Sequence, residues 1–153
     1  MLDQSIWERK YIDLWTLVHV LTGMCFGFVI FFYKSPFIES FITFVIFAII
    51  WETVEFYDGA KEEITNKVFD VLAGGIGFLT TTKLIPGLTS SLNSQIVIFS
   101  TIYILVWTLA HYGFKSLALH LNRSKKKYNQ SFSLAVVLYL VIMGTMFVLR
   151  KTF

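Results

Sequence analysis

The sequence predicts an all-α fold, a polytopic transmembrane helical bundle of about five spans with a cytoplasmic N-terminus and a short N-terminal interfacial helix. Three observations predict it. Hydrophobic residues make up 56% of the chain and charged residues only 15%, whereas soluble domains sit nearer roughly one half and about one quarter. Five apolar stretches meet or nearly meet the about 20 residues that cross a roughly 30 Å hydrocarbon core at about 1.5 Å per residue. Lys and Arg are also distributed unevenly among the connections, which is the bias that orients helices in a bilayer.

The elements follow in order. Trp7, Tyr11 and Trp15 recur every four residues beside Glu8, Arg9, Lys10 and Asp13, a pattern that suits a short helix anchored at headgroup level. The first span covers 14–33. Its apolar run is longer than a signal-peptide core and no small-x-small site follows, so the helix is expected to stay in the mature protein. Lys34-Ser35-Pro36 separates it from the second span, 37–57, because proline lacks a donor and disfavours helix in the residue before it. The third span, 67–85, ends at Pro86-Gly87, and the polar run from Thr89 to Ser94 reads as a loop before the fourth, 95–114. The fifth covers 132–148. The whole chain reads as a single integral membrane domain. With the N-terminus inside, Arg9, Lys10, Lys61, Lys67, Lys115, Arg123, Lys125, Lys126 and Lys127 are inner, against Lys34, Lys83, Arg150 and Lys151 outside. The single Cys25 excludes an internal disulfide and a multi-cysteine zinc site within one chain.

A few ionisable and polar residues interrupt the apolar stretches, and in this topology they share one depth. His19 lies about 7 Å above the inner end of the first helix, from five residues at about 1.5 Å each. Glu52 and Glu55 fall in the last turns of the second, Asn66 and Asp70 at the start of the third, and His111 near the inner end of the fourth. Spacings of three and four residues put each pair on one helix face. Carboxylates held together in hydrocarbon raise the prospect of a shared proton or a bound cation, so His19, Glu52, Glu55 and Asp70 are candidate catalytic residues. Asn66, Asp58, Glu62 and His111 are candidate ligand-binding residues, with Asp58, Glu62 and Glu63 making the connecting loop acidic. No cofactor is identified, although a divalent metal fits this chemistry. The competing reading is that the carboxylates snorkel to the headgroups and bond the loop.

Gly74, Gly75 and Gly77 are candidate packing residues, since small side chains let helix backbones approach where lipid supplies no hydrophobic drive. They serve either a close approach within the chain or a homo-oligomer face. Arg123, Lys125, Lys126 and Lys127 read as a topology signal or an anionic-lipid contact, and no nucleic-acid partner is expected.

Trp51-Glu-x-x-Glu55, then Asn66-x-x-x-Asp70-x-x-x-Gly74-x-x-Gly77, with His19-x-x-x-Gly23 upstream, resembles the VanZ-like group and related small bacterial inner-membrane proteins over about residues 13 to 80. The resemblance implies a role at the cell envelope. In the founding member that role is linked to glycopeptide resistance. The pattern departs from the group in that Asp13 lies farther from His19 and Lys61 is the nearest basic residue where an arginine is common.

Three functions stay open. One is a cytoplasm-facing intramembrane site that binds or processes a lipid or envelope-related ligand, with membrane lipid as partner. The second is an oligomeric ion channel or membrane-disrupting effector. The third is a scaffold or subunit of a membrane complex. No phosphate-binding glycine loop, serine nucleophile elbow or His-Glu-x-x-His helix is present.

Overall fold

The computed structural model describes residues 14–57, 64–88 and 91–120, with residue 137 beyond them, and leaves out the side chains at 29, 54–57, 88, 114 and 116–120. Among the described residues there is no strand, and four helices follow one another: α1 (Leu14–Tyr33), α2 (Phe37–Tyr57), α3 (Ile64–Leu88) and α4 (Leu92–His120). Among the described residues, three segments are long and apolar enough to cross a membrane, namely Leu14–Tyr33, Ile64–Gly87 and Leu92–Gly113. The expected interfacial helix and the fifth span at 132–148 lie outside the described residues. The chain divides into two compact units, Met1–Val106 and Trp107–Phe153, and the boundary falls within α4.

The helix ends follow from local chemistry. After Tyr33 the chain turns at Lys34 with φ 51°, the left-handed conformation that often ends a helix, here without the glycine that usually supplies it. Pro36 then offers its carbonyl to Ser40 N at 3.1 Å, opening α2. The start of α4 is similar, with the Ser91 carbonyl accepting from Gln95 N at 3.0 Å and Ser91 at the position where serine is favoured.

Two sequence expectations need correction here. Pro86-Gly87 does not end α3, which continues through Pro86 to Leu88. A proline this close to a helix end deprives only the carbonyl one turn back of its donor, so the last turn survives. The loop after it is also shorter than expected, because Leu92, Asn93 and Ser94 form the first turn of α4. α3 and α4 therefore overrun their predicted bounds at both ends.

In the first unit, α1 and α3 run parallel and share the most extensive interface. Its centre is a glycine seam. A Cβ on Gly23 would overlap the Gly74 carbonyl, and one on Gly77 would overlap the Val20 carbonyl. A Cβ on Gly27 would come within 2.7 Å of Thr81 Cβ. Backbones can meet this closely only where both faces lack side chains. α2 runs antiparallel beside them, with Phe37 and Phe41 against Phe78, Phe44 against Gly74, and Glu52 toward the start of α3. Phe28 packs edge-on to Phe99 of α4 at 5.8 Å.

The outer faces suit an apolar solvent. Ile38, Ile42, Ile46, Ile49 and Ile50 of α2 are exposed, and the exposed hydroxyls of Thr43, Thr53, Thr80 and Thr101 bond carbonyls of their own helix at 2.7–2.9 Å. Such back-bonding satisfies a hydroxyl where no water is at hand.

Candidate functional site

The site is built by two helix stripes and one visiting side chain. On α1, Trp15, His19, Gly23 and Gly27 recur every four residues and so share a face. On α3, Asn66, Asp70 and Gly74 do the same, with Gly77 and Thr81 continuing the buried side. Because the glycines draw these faces into backbone contact, the longer side chains one turn nearer the N-terminal ends meet beside the seam. The third contribution comes from α2, whose buried side chains Ser40, Phe44 and Glu52 lie at multiples of four residues.

His19 Nε2 stands 3.8 Å from Glu52 Oε1 and 3.9 Å from Asp70 Oδ2. Asn66 Nδ2 donates to Asp70 Oδ2 at 3.2 Å, and Lys67 Nζ donates to the Glu52 main-chain oxygen at 3.4 Å. Asp70 is 1% exposed, Asn66 5% and Glu52 7%. Snorkelling does not describe Glu52 and Asp70, because both carboxyl groups turn into the helix bundle. Each of His19, Glu52 and Asp70 offers one ligand atom, and these atoms all lie within 4.8 Å of one another. The trio can share a proton, hold a cation, or serve as an acid/base group beside a bound ligand.

The other candidates are distributed as follows. Glu55 is in the last turn of α2 with its side chain outside the description, and Asp58 and Glu62 lie outside the described residues. His111 belongs to the second unit, where its half-buried ring stands edge-on to Tyr112 at 5.9 Å. Arg123, Lys125, Lys126 and Lys127 are outside the described residues. Among the packing candidates, Gly74 and Gly77 are in the seam, whereas a Cβ on Gly75 would meet nothing within 4 Å. One step of about 100° around the helix turns Gly75 away from α1.

Three contributors escaped the sequence reading. Gly27 was signalled by its four-residue spacing from Gly23. Lys67 counted only as an orienting charge, yet it ties α3 to the main chain of α2. Trp15, expected at headgroup level with Trp7 and Tyr11, is 7% exposed and packed in the bundle. The His19–Gly23–Gly27 series, extended one turn back, points to that burial.

Set against known proteins, the chain matches no protein-family model, no curated protein and no solved structure.

Proposed function

We propose that this is an integral membrane protein of about five spans in a bacterial inner membrane, with its N-terminus in the cytoplasm. In this reading its intramembrane polar site faces the cytoplasm and binds or processes a lipid-linked or headgroup-bearing ligand of the cell envelope. The observation that carries the reading is the meeting of His19, Glu52 and Asp70, from three separate helices, with ligand atoms within 4.8 Å of one another. Placing ionisable groups from three helices at one buried point is disfavoured by several kcal/mol unless they are paired or used, so a functional role is the first hypothesis for such a cluster.

In this reading Glu52 and Asp70 act as acid/base or cation-holding groups and His19 as their proton partner. Asn66 orients Asp70, and Glu55, Asp58 and Glu62 make the cytoplasmic approach acidic. Arg123, Lys125, Lys126 and Lys127 contact anionic lipid at the same leaflet. The VanZ-like pattern of Trp51, Glu52, Glu55, Asn66, Asp70 and Gly74 favours an envelope ligand over a soluble metabolite.

Native mass spectrometry of the detergent-purified chain beside Glu52→Gln and Asp70→Asn tests this. The expected result is a monomer or dimer carrying a defined lipid adduct that both variants lose while remaining folded. A discrete higher oligomer without an adduct would instead direct attention to ion flux. Variants that keep the adduct unchanged would leave the cluster with a packing role.

A further inference from the structure

The distances within the cluster are longer than those of direct hydrogen bonds. His19 Nε2 lies 3.8 and 3.9 Å from its two carboxylate neighbours, beyond the about 2.7–3.2 Å of an N–H···O hydrogen bond. Around a four-coordinate ion with bonds of about 2.0–2.1 Å, neighbouring donor atoms stand about 3.4 Å apart. The two edges at His19 exceed that by about half an ångström, and the three ligand atoms lie within 4.8 Å of one another, so side-chain rotations are needed to close the set around an ion.

Charge favours the same occupant. With a neutral imidazole the trio carries the negative charge of two carboxylates, and a divalent cation cancels it. A water molecule would bridge the same distances but bring no charge to the two carboxylates.

The ligands are also held in place beforehand. His19 and Asp70 sit one turn from the Gly23–Gly74 contact, and the His19 carbonyl lies 3.4 Å from where a Gly74 Cβ would be, so the backbone seam fixes their relative register. Asn66 Nδ2 fixes the Asp70 carboxylate, the kind of outer hydrogen bond that aims a metal-binding carboxylate.

We infer that His19, Glu52 and Asp70 form a three-ligand site for a divalent first-row metal ion. One nitrogen and two oxygen donors suit Zn²⁺, Mn²⁺ or Fe²⁺. They lack the thiolates that select Cu⁺ and the six to eight oxygens typical of Ca²⁺, roughly counted. Three protein ligands leave a coordination position open to an anionic oxygen such as that of a phosphate-bearing headgroup. The inference rests on the reading of this cluster as a ligand site and gives that site its chemistry.

The test uses the full chain, purified in detergent without a polyhistidine tag, stripped with a chelator and reloaded with MnCl₂, CoCl₂ or ZnCl₂. After gel filtration, elemental analysis should find about one ion per chain, with Mn²⁺ held more weakly than Co²⁺. Asn66→Ala should weaken binding by about 10–100-fold, and His19→Ala, Glu52→Gln and Asp70→Asn by more than about 100-fold. Glu39→Gln, in the first turn of α2, should leave binding unchanged. X-ray absorption of the Zn²⁺-loaded wild type, which does not depend on any variant folding, should show one imidazole among oxygen ligands. A folded wild type that takes up no metal, a spectrum with sulfur or without imidazole, or a folded Asp70→Asn that binds normally would each overturn the inference. A lipid adduct that persists on protein taking up no metal would sink the metal site alone. Stoichiometric metal uptake with no lipid adduct would uphold it and sink the lipid reading.

Discussion

Asp70 is the least exposed charged side chain of the described chain, at 1%, and its surroundings answer that burial only as a group. The Asn66 amide and the His19 imidazole both converge on Oδ2. Removing one member of such a buried set typically costs about 3–5 kcal/mol, because it strands the remaining charge. His19→Leu should therefore lower the unfolding midpoint in detergent sharply, and adding Asp70→Leu to it should restore part of the loss. A double variant less stable than the single one by the full Asp70→Leu effect would show that the two side chains are not coupled. Lys34 offers a test of opposite sign. At φ 51° an L-residue pays roughly 1–2 kcal/mol that glycine avoids, so Lys34→Gly should raise thermal stability by about 1 kcal/mol; no gain would mean that Lys34 side-chain contacts offset the strain.

At the scale of the element, the seam makes α1 and α3 behave as one body. Gly23→Ala and Gly77→Ala place a methyl group against backbone carbonyls of the opposite helix, which cannot yield as a flexible side chain does. Each should cost about 1–3 kcal/mol, the usual penalty of overpacking. Gly75→Ala should instead be neutral or stabilising by up to about 1 kcal/mol, since it gains helix propensity and meets no neighbour within 4 Å. Thermal unfolding of the three variants side by side checks this, and equal losses at 75 and 77 would contradict the assignment of faces. α2 meets the α1–α3 pair more locally, so Glu52 is the ligand whose position depends on how that helix is seated. The sequence made the bounds of α1 and α2 plain because Lys34-Ser35-Pro36 combines a stop with a start. It misplaced the ends of α3 and α4 because a proline in a last turn and serines in a first turn look the same in sequence as a loop. The carboxylate pair on α2 was equally ambiguous by spacing. Glu52 stands out only once Ser40 and Phe44 are seen buried at the same four-residue interval.

At the scale of the molecule, ionisable residues in apolar runs were legible from sequence because hydrocarbon makes them costly wherever they occur. What the linear chain could not convey was the close approach of α1 and α3, a property of two faces together. The proposed orientation is read by cysteine labelling. In a Cys25→Ser background, the proposed topology makes Ser35→Cys react with an impermeant thiol reagent from outside the cell, and Gly59→Cys only after the membrane is opened. With five spans Thr152→Cys should behave like Ser35→Cys; labelling of Thr152→Cys from the cytoplasmic side alone would mean an even number of crossings.

The first unit is unlike at its two ends. Its buried carboxylates and the partly exposed His19 imidazole lie where α1 and α3 begin and α2 finishes, while toward the Lys34–Pro36 turn the interior is filled by Phe28, Phe44, Phe78 and Phe99. Beyond the cluster, the buried polar side chains among the described residues are Ser40 and Thr81, neither ionisable. Along the described parts of α1, α2 and α3, the buried ionisable side chains are therefore gathered at one end, and the proposed site would be entered and left on the side where α1 and α3 begin.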